Sequence, residues 1–429
     1  MTAMTMNGKT TSKVATVFRV TSGNFLEMFD FFLFGIYASH ISKAFFPGDS
    51  EVAKLLAAFM AFAAGFFMRP LGGIILGAYV DRVGRRQGLI VTLSIMAMGT
   101  ILIAFVPGYA TIGMLAPILV VIGRLLQGFS AGVELGGVSV YLSEMAPPGQ
   151  KGFYVSWQSG SQQVAVMVAA MIGFTLSKTL MPAQMSEWGW RVPFFIGCLI
   201  VPFLFYIRQS LAETEEFQKR KHHPALGEVV QTLLANWSIV LLGMLMVVMT
   251  TVPFYFITVY TPTFGKDVLK LTEVDSLIIT FCVALSNLFW LPVMGSISDR
   301  IGRKPVLLAF SLLMLVTGYP ALLWLSGHVT FANMLIVLLW FSFLYGSYNG
   351  AMVVALTEVV PPDVRTAGFS LAYSLATALF GGLTPWVATE LIEKTHSKAA
   401  PGYWLAFAGL CGAFAAFAVY RRVTNQRLS

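Results

Sequence analysis

Four charged residues sit inside long apolar runs of this 429-residue chain: Glu27 and Asp30 in one run, Arg69 in a second and Arg124 in a third. A charge at bilayer depth costs at least about 2.5–3.5 kcal/mol, so it normally faces a polar cavity and marks a pathway. Arginine offers a planar fork that stays charged when buried and grips a carboxylate with two hydrogen bonds. Burial favours the protonated form of a carboxyl, and a neighbouring arginine favours the ionised form, so an arriving anion can switch the balance. Buried cations with buried acids imply proton-coupled carriage of a small organic anion.

The elements that must hold these residues are membrane helices. Apolar residues make up 57% of the chain and charged residues 11%. Runs long enough to cross a hydrocarbon core of about 30 Å recur along it. Twelve are read, over 18–42, 55–79, 89–107, 112–142, 152–177, 191–208, 237–262, 275–297, 305–325, 332–357, 367–392 and 402–420. The first is too long and too rich in acids for a cleaved signal peptide. The expected fold is an all-α membrane protein. With a cytoplasmic N-terminus, 18 of the 28 Lys and Arg fall in inside segments, which predicts both termini on the cytoplasmic side. The +8 net charge is then an orientation signal, scattered over short loops, and not a nucleic-acid footprint.

The chain repeats itself. The stretch Gly77-Ala78-Tyr79-Val80-Asp81-Arg82-Val83-Gly84-Arg85-Arg86 returns as Gly295-Ser296-Ile297-Ser298-Asp299-Arg300-Ile301-Gly302-Arg303-Lys304, and Leu142-Ser143-Glu144 returns as Leu356-Thr357-Glu358. Two motifs at nearly one offset imply two homologous six-helix bundles, over 1–208 and 236–429. The polar stretch 209–235 between them reads as a cytoplasmic linker, either a solvated connector or a short amphipathic surface helix.

The doubled Gly-x-x-x-Asp-Arg-x-Gly-Arg-Arg/Lys loop resembles the hallmark of the major facilitator superfamily, and the likeness covers essentially the whole chain. It implies twelve transmembrane helices in two pseudo-symmetric bundles. It also implies a cytoplasmic latch built from Gly77, Asp81, Arg82, Gly84, Arg85 and Arg86 with Asp299, Arg300, Gly302 and Arg303. The carboxylates of Asp81 and Asp299 lie where each can face a neighbouring helix N-terminus. A narrower resemblance, to the metabolite–proton symporter branch, rests on Gly23-Asn24-Phe25-Leu26-Glu27-Met28-Phe29-Asp30, Phe67-Met68-Arg69-Pro70 and the stretch from Arg124 to Glu134. Met28, Phe29 and Leu135 depart from that branch. With Ser186-Glu187-Trp188-Gly189-Trp190-Arg191, the chain looks most like bacterial citrate and tricarballylate proton symporters. That likeness implies import of a tricarboxylate across the bacterial inner membrane.

At 1.5 Å per residue, Asp30, Arg69 and Arg124 each lie about 18 Å into the membrane, near the midplane where such carriers bind substrate. Arg124 is the first candidate for a substrate carboxylate and Arg69 the second, although either could instead form a structural ion pair with an acid. Pro70 suggests a backbone break beside Arg69. Asp30, Glu27 and Glu134 are the candidate proton carriers. Asn24, Gln158, Gln162, Tyr345, Tyr348 and Asn349 are candidate neutral partners for the substrate, with Asn287 and Tyr255 as further donors. Polar membrane residues also join helices at about 0.6 kcal/mol each, which would account for any one of them. The second half has no arginine or lysine at mid-membrane depth, so the first half should hold the charge.

Rival functions are constrained. The five histidines fall in loops or at helix ends, and Cys198, Cys282 and Cys411 are scattered, so no enzyme, metal site, cofactor or disulfide is expected. A passive anion facilitator, sodium coupling, and 2-oxoglutarate or shikimate-like substrates remain open from the residues alone. The expected partners are a small organic anion, protons and the lipid bilayer, with the protein acting as a monomer.

Overall fold

A computed structural model describes residues 17, 21, 24, 25, 28, 29, 32–83, 85–132, 134–209, 227, 231, 234–360 and 365–428. Twelve helical spans run through it. α1 is helical over 32–36 and closes as Ala38–Phe45; α2 is Glu51–Val83, α3 Arg85–Phe105, and α4 Leu115–Ala131, resuming as Glu134–Met145. α5 is Lys151–Thr179 and α6 Val192–Gln209. α7 is Trp237–Phe254, extended by π turns at Tyr255–Val259 and Phe264–Val268. α8 is Glu273–Ile301, α9 Arg303–Gly327 and α10 Phe331–Val359. α11 is Arg365–Ala376, a π turn at Thr377–Gly381, then Thr384–Thr395; α12 is Pro401–Leu428.

Among the described residues, eight helices are long and apolar enough to cross a membrane, and three shorter apolar ones lie at Ile90–Phe105, Leu115–Ala131 and Gly189–Phe203. The helices overrun the apolar runs at several ends: α2 reaches Val83 and α8 reaches Ile301. Capping explains some boundaries. The Thr272 hydroxyl accepts from Asp275 N at 3.0 Å and starts α8, and Thr330 accepts from Asn333 N at 3.1 Å and starts α10. Gly302 has φ of 92°, a conformation open to glycine at little cost, and so turns α8 directly into α9. Pro70 does not break α2, which runs through it. Proline removes only the bond to the Phe66 carbonyl, and the packed neighbours keep the helix in line.

Backbone contact fixes α2 against α4. Gly128 of α4 lies against Gly65, Gly132 against the Arg69 carbonyl, and Gly72 of α2 against Phe129. A side chain at any of these would strike backbone, so α2 and α4 meet at their closest beside the two arginines. The same device joins the first six helices to the last six, where Gly152 of α5 and Gly295 of α8 touch through their backbones.

Candidate functional site

That close approach places both arginines inside. Arg69 is 1% exposed and Arg124 is fully buried. Arg124 Nη1 donates to Gln127 Oε1 at 2.7 Å, one helical turn on, and Nη2 to the Phe62 carbonyl at 3.4 Å. Its guanidinium carbon lies 4.9 Å from the Phe34 ring centre and 5.0 Å from that of Phe62. Arg69 sits 4.6 Å over Phe66, with Nη2 3.9 Å from the Met28 sulfur. A cation over a desolvated ring is worth about 2 kcal/mol. Tyr255 of α7 then packs on both supports, its ring 6.0 Å from Phe62 and 5.1 Å from Phe66. The first half supplies the charge, and an aromatic residue of the second half covers it.

Neutral groups line the seam nearby. Asn349 of α10 donates to Ser159 Oγ of α5 at 2.9 Å and to Tyr345 Oη at 3.2 Å. Asn287 of α8 donates to Gln163 Oε1 at 3.0 Å and accepts from Ser342 at 2.7 Å. Gln158, held through Oε1 by Ser159, keeps its Nε2 buried with no protein partner, as Asn349 does its Oδ1. Buried amide groups left open in this way cost about 1–3 kcal/mol each, a cost recovered where a ligand completes them. Asn24 is spent differently: ahead of α1, it bonds to α5 through the Gln158 carbonyl at 3.1 Å and Ser161 Oγ at 2.8 Å. Gln162 is buried on α5. Tyr348 points away from this group and donates to the Met246 carbonyl at 2.9 Å, within the last six helices.

At the end carrying the repeated motif, Asp299 accepts from Gly152 N at 2.9 Å and Phe153 N at 3.3 Å, capping α5 across the seam. Arg303 holds that carboxylate at 2.7 Å, reaches Glu358 at 3.3 Å, and donates to Ser298 Oγ at 2.7 Å. Arg300 is exposed. Glu27, Asp30 and Gly84 lie outside the described residues. Gly77, Asp81, Arg82, Arg85, Arg86 and Glu134 lie in helices, but the structure does not describe their side chains.

A profile of the Major Facilitator Superfamily matches residues 20–385. The chain belongs to the Major Facilitator Superfamily. This facilitator is 62% identical over 411 residues to a citrate-proton symporter of Klebsiella pneumoniae, covering 96% of this chain and 93% of that one. It is 59% identical over 425 residues to a citrate-proton symporter of Salmonella typhi, covering 98% of each. With the alpha-ketoglutarate permease of Escherichia coli K12 it shares 33% over 389 residues, 89% of this chain and 88% of that one. A crystal structure of a D-xylose-proton symporter matches with TM-score 0.75 at 18% identity, over 94% of this chain and 96% of that one, a likeness of fold. The facilitator is therefore a multi-pass membrane transporter of twelve helices and not an enzyme.

Several residues of the candidate site were not singled out in the sequence. Gln163 and Ser159 meet the second half beside the chosen Gln158 and Gln162, and only the seam between α5, α8 and α10 shows which of the α5 side chains reach across. Phe34, Phe62 and Phe66 support the arginines, yet aromatics are so common in these helices that their spacing carries no signal. A cavity of about 540 Å³ lies away from Arg69 and Arg124, at the end opposite the motif, among Lys43, Lys54, Tyr109, Trp190 and Arg191.

Proposed function

We propose that this facilitator imports citrate together with protons across the bacterial inner membrane by alternating access. The single observation behind the charge selectivity is the pair of fully buried arginines beside a seam of neutral amides. The identity to citrate-proton symporters over nearly the whole chain supports the substrate. In this reading Arg124 and Arg69 hold substrate carboxylates. Gln158, Gln162, Tyr345 and Asn349 serve the hydroxyl and the remaining carboxylate, Asn24 orients α5, and Tyr348 sets α10 against α7. The segments 1–208 and 236–429 rock as two bodies joined by the 209–235 linker. Both termini lie in the cytoplasm, and one chain in the lipid bilayer suffices.

The motif end is then the cytoplasmic end. Asp299 with Arg303, and the matching Gly77, Asp81, Arg82, Gly84, Arg85 and Arg86 loop with Arg300 and Gly302, latch it shut while the outer side is open. Energetics requires coupling, because a trianion entering against 100 mV costs about 7 kcal/mol. Protons taken up by Asp30, Glu27 or Glu134 offset that charge.

Proteoliposomes given citrate, tricarballylate, 2-oxoglutarate, shikimate or betaine test this directly. Alkalinisation outside with citrate is expected; saturable citrate flux without proton movement would overturn symport, and flux of betaine alone would overturn the substrate class. Asp30→Asn is expected to keep citrate exchange while losing gradient-driven accumulation, read as counterflow against net uptake. Normal accumulation would remove Asp30 from coupling.

A further inference from the structure

Two carboxylates bind across the seam, one at each end of a single helix. At the motif end Asp299 caps α5. At the opposite end Glu273, the first residue of α8, meets His40 of α1 with Nε2 and Oε1 2.8 Å apart, and Ser177 of α5 donates to the same oxygen at 3.3 Å. Its other oxygen takes Lys266 of α7 at 2.6 Å, which holds the carboxylate from its own side. His40 is 7% exposed and the Glu273 side chain 22%. Tyr37, on α1 one turn before His40, completes the titratable groups around the contact; its hydroxyl is bound to the Ala169 carbonyl at 2.8 Å. From Glu273 to Asp299 α8 spans about 39 Å, so one rigid element carries both contacts.

Substrate cannot reach the arginines from outside while α1 and α5 stay bound to the start of α8. Breaking this sheltered contact is costly, because it leaves the buried His40 nitrogen and the Ser177 hydroxyl without their partner, while Glu273 stays with Lys266. We propose that His40 and Glu273 form the outer gate of the transport cycle, with Ser177 and Lys266 positioning the carboxylate, and that opening toward the outside requires this contact to break while the Asp299 contact holds. The structure has both engaged, the arrangement of a carrier between its two open states. The proposal rests on the alternating-access reading above. His40 and Glu273 act by position and touch no substrate.

The test places cysteines at both positions, His40→Cys with Glu273→Cys, in a chain whose Cys198, Cys282 and Cys411 are changed to serine. A bifunctional methanethiosulfonate long enough to span the pair is expected to cross-link α1 to α8 and stop citrate uptake, and reductant to restore it. A cross-linked carrier that transports at the reduced rate would overturn the gate, as would failure to cross-link, since the two residues would then not be neighbours. A second arm needs no substrate. Ser159→Cys, at the centre of the seam, is labelled from outside with a membrane-impermeant maleimide, with and without Glu273→Ala. Loss of the contact is expected to speed labelling about tenfold, the effect of a shift of about 1.4 kcal/mol between states. Unchanged labelling would overturn the gate. Faster labelling of the Ser159→Cys chain, together with no citrate movement by the chain that keeps Ser159, would overturn the substrate reading alone. In transport, Glu273→Ala is expected to lower external KM and kcat together, whereas simple misfolding would lower the amount of active carrier and leave KM in place.

Discussion

Arg124→Gln is expected to weaken citrate binding by at least about 30-fold while the protein still folds. The guanidinium is fully buried on α4, and two aromatic rings and Gln127 hold it in one orientation. Removing one partner of a buried, hydrogen-bonded charge pair costs about 2–5 kcal/mol, and each 1.4 kcal/mol is tenfold in affinity. Glutamine can keep the bond to Gln127 but brings no charge to a trianion. Arg124→Lys separates charge from shape: the ammonium remains and the two-pronged fork is lost, so its affinity should fall between the two. Calorimetric titration of detergent-solubilised protein, beside a thermal melt, reads both. Citrate affinity unchanged in Arg124→Gln would move the site elsewhere.

Gly152→Val is expected to cut uphill citrate uptake by about 100-fold with the fold intact. A side chain there would meet the Gly295 backbone, and neither helix can yield without opening the seam between α5 and α8. Overpacking of this kind costs about 1–3 kcal/mol. The strain falls only on the state in which this end is closed, and a bias near 3 kcal/mol moves a two-state balance by about 150-fold. The carrier should rest open to the cytoplasm, still binding citrate from that side. Gly295→Val should match it, and the double variant should add little, because both changes force apart the same contact. Gly160→Ala, on the same helix, meets neighbours at ordinary contact distance and should transport normally. Full uptake by Gly152→Val would show that this seam need not close.

Much of the architecture is legible in the sequence because its causes are local. Apolar length gives the spans, and Arg124 with Gln127 follows from a spacing of three on one helix. The placing of Asp299 opposite a helix N-terminus was readable as a kind of contact, although the identity of that helix, α5, was not. What escaped depends on distant segments meeting. His40 and Glu273 are 233 residues apart and each looks like an ordinary helix end. Lys266 falls beyond the apolar run of α7 and reads as a loop charge, yet a π turn carries it back to Glu273. Tyr345 and Asn349 reach the seam while Tyr348, read with them, faces the interior of its own half. No periodicity distinguishes a residue facing a partner helix from one facing the opposite half when both surroundings are apolar.

The π turns of α7 and α11 have a mechanical meaning. A π turn holds one residue more than the helix needs, and here two of them sit side by side, with Gly381 packed against Thr251 and the Tyr255 ring. The surplus is slack in the backbone ladder, lying at the depth of the arginine pair and on the helices that face it. Flexing of the second half is expected there, where Tyr255 lies against Phe62 and Phe66 beneath the arginines.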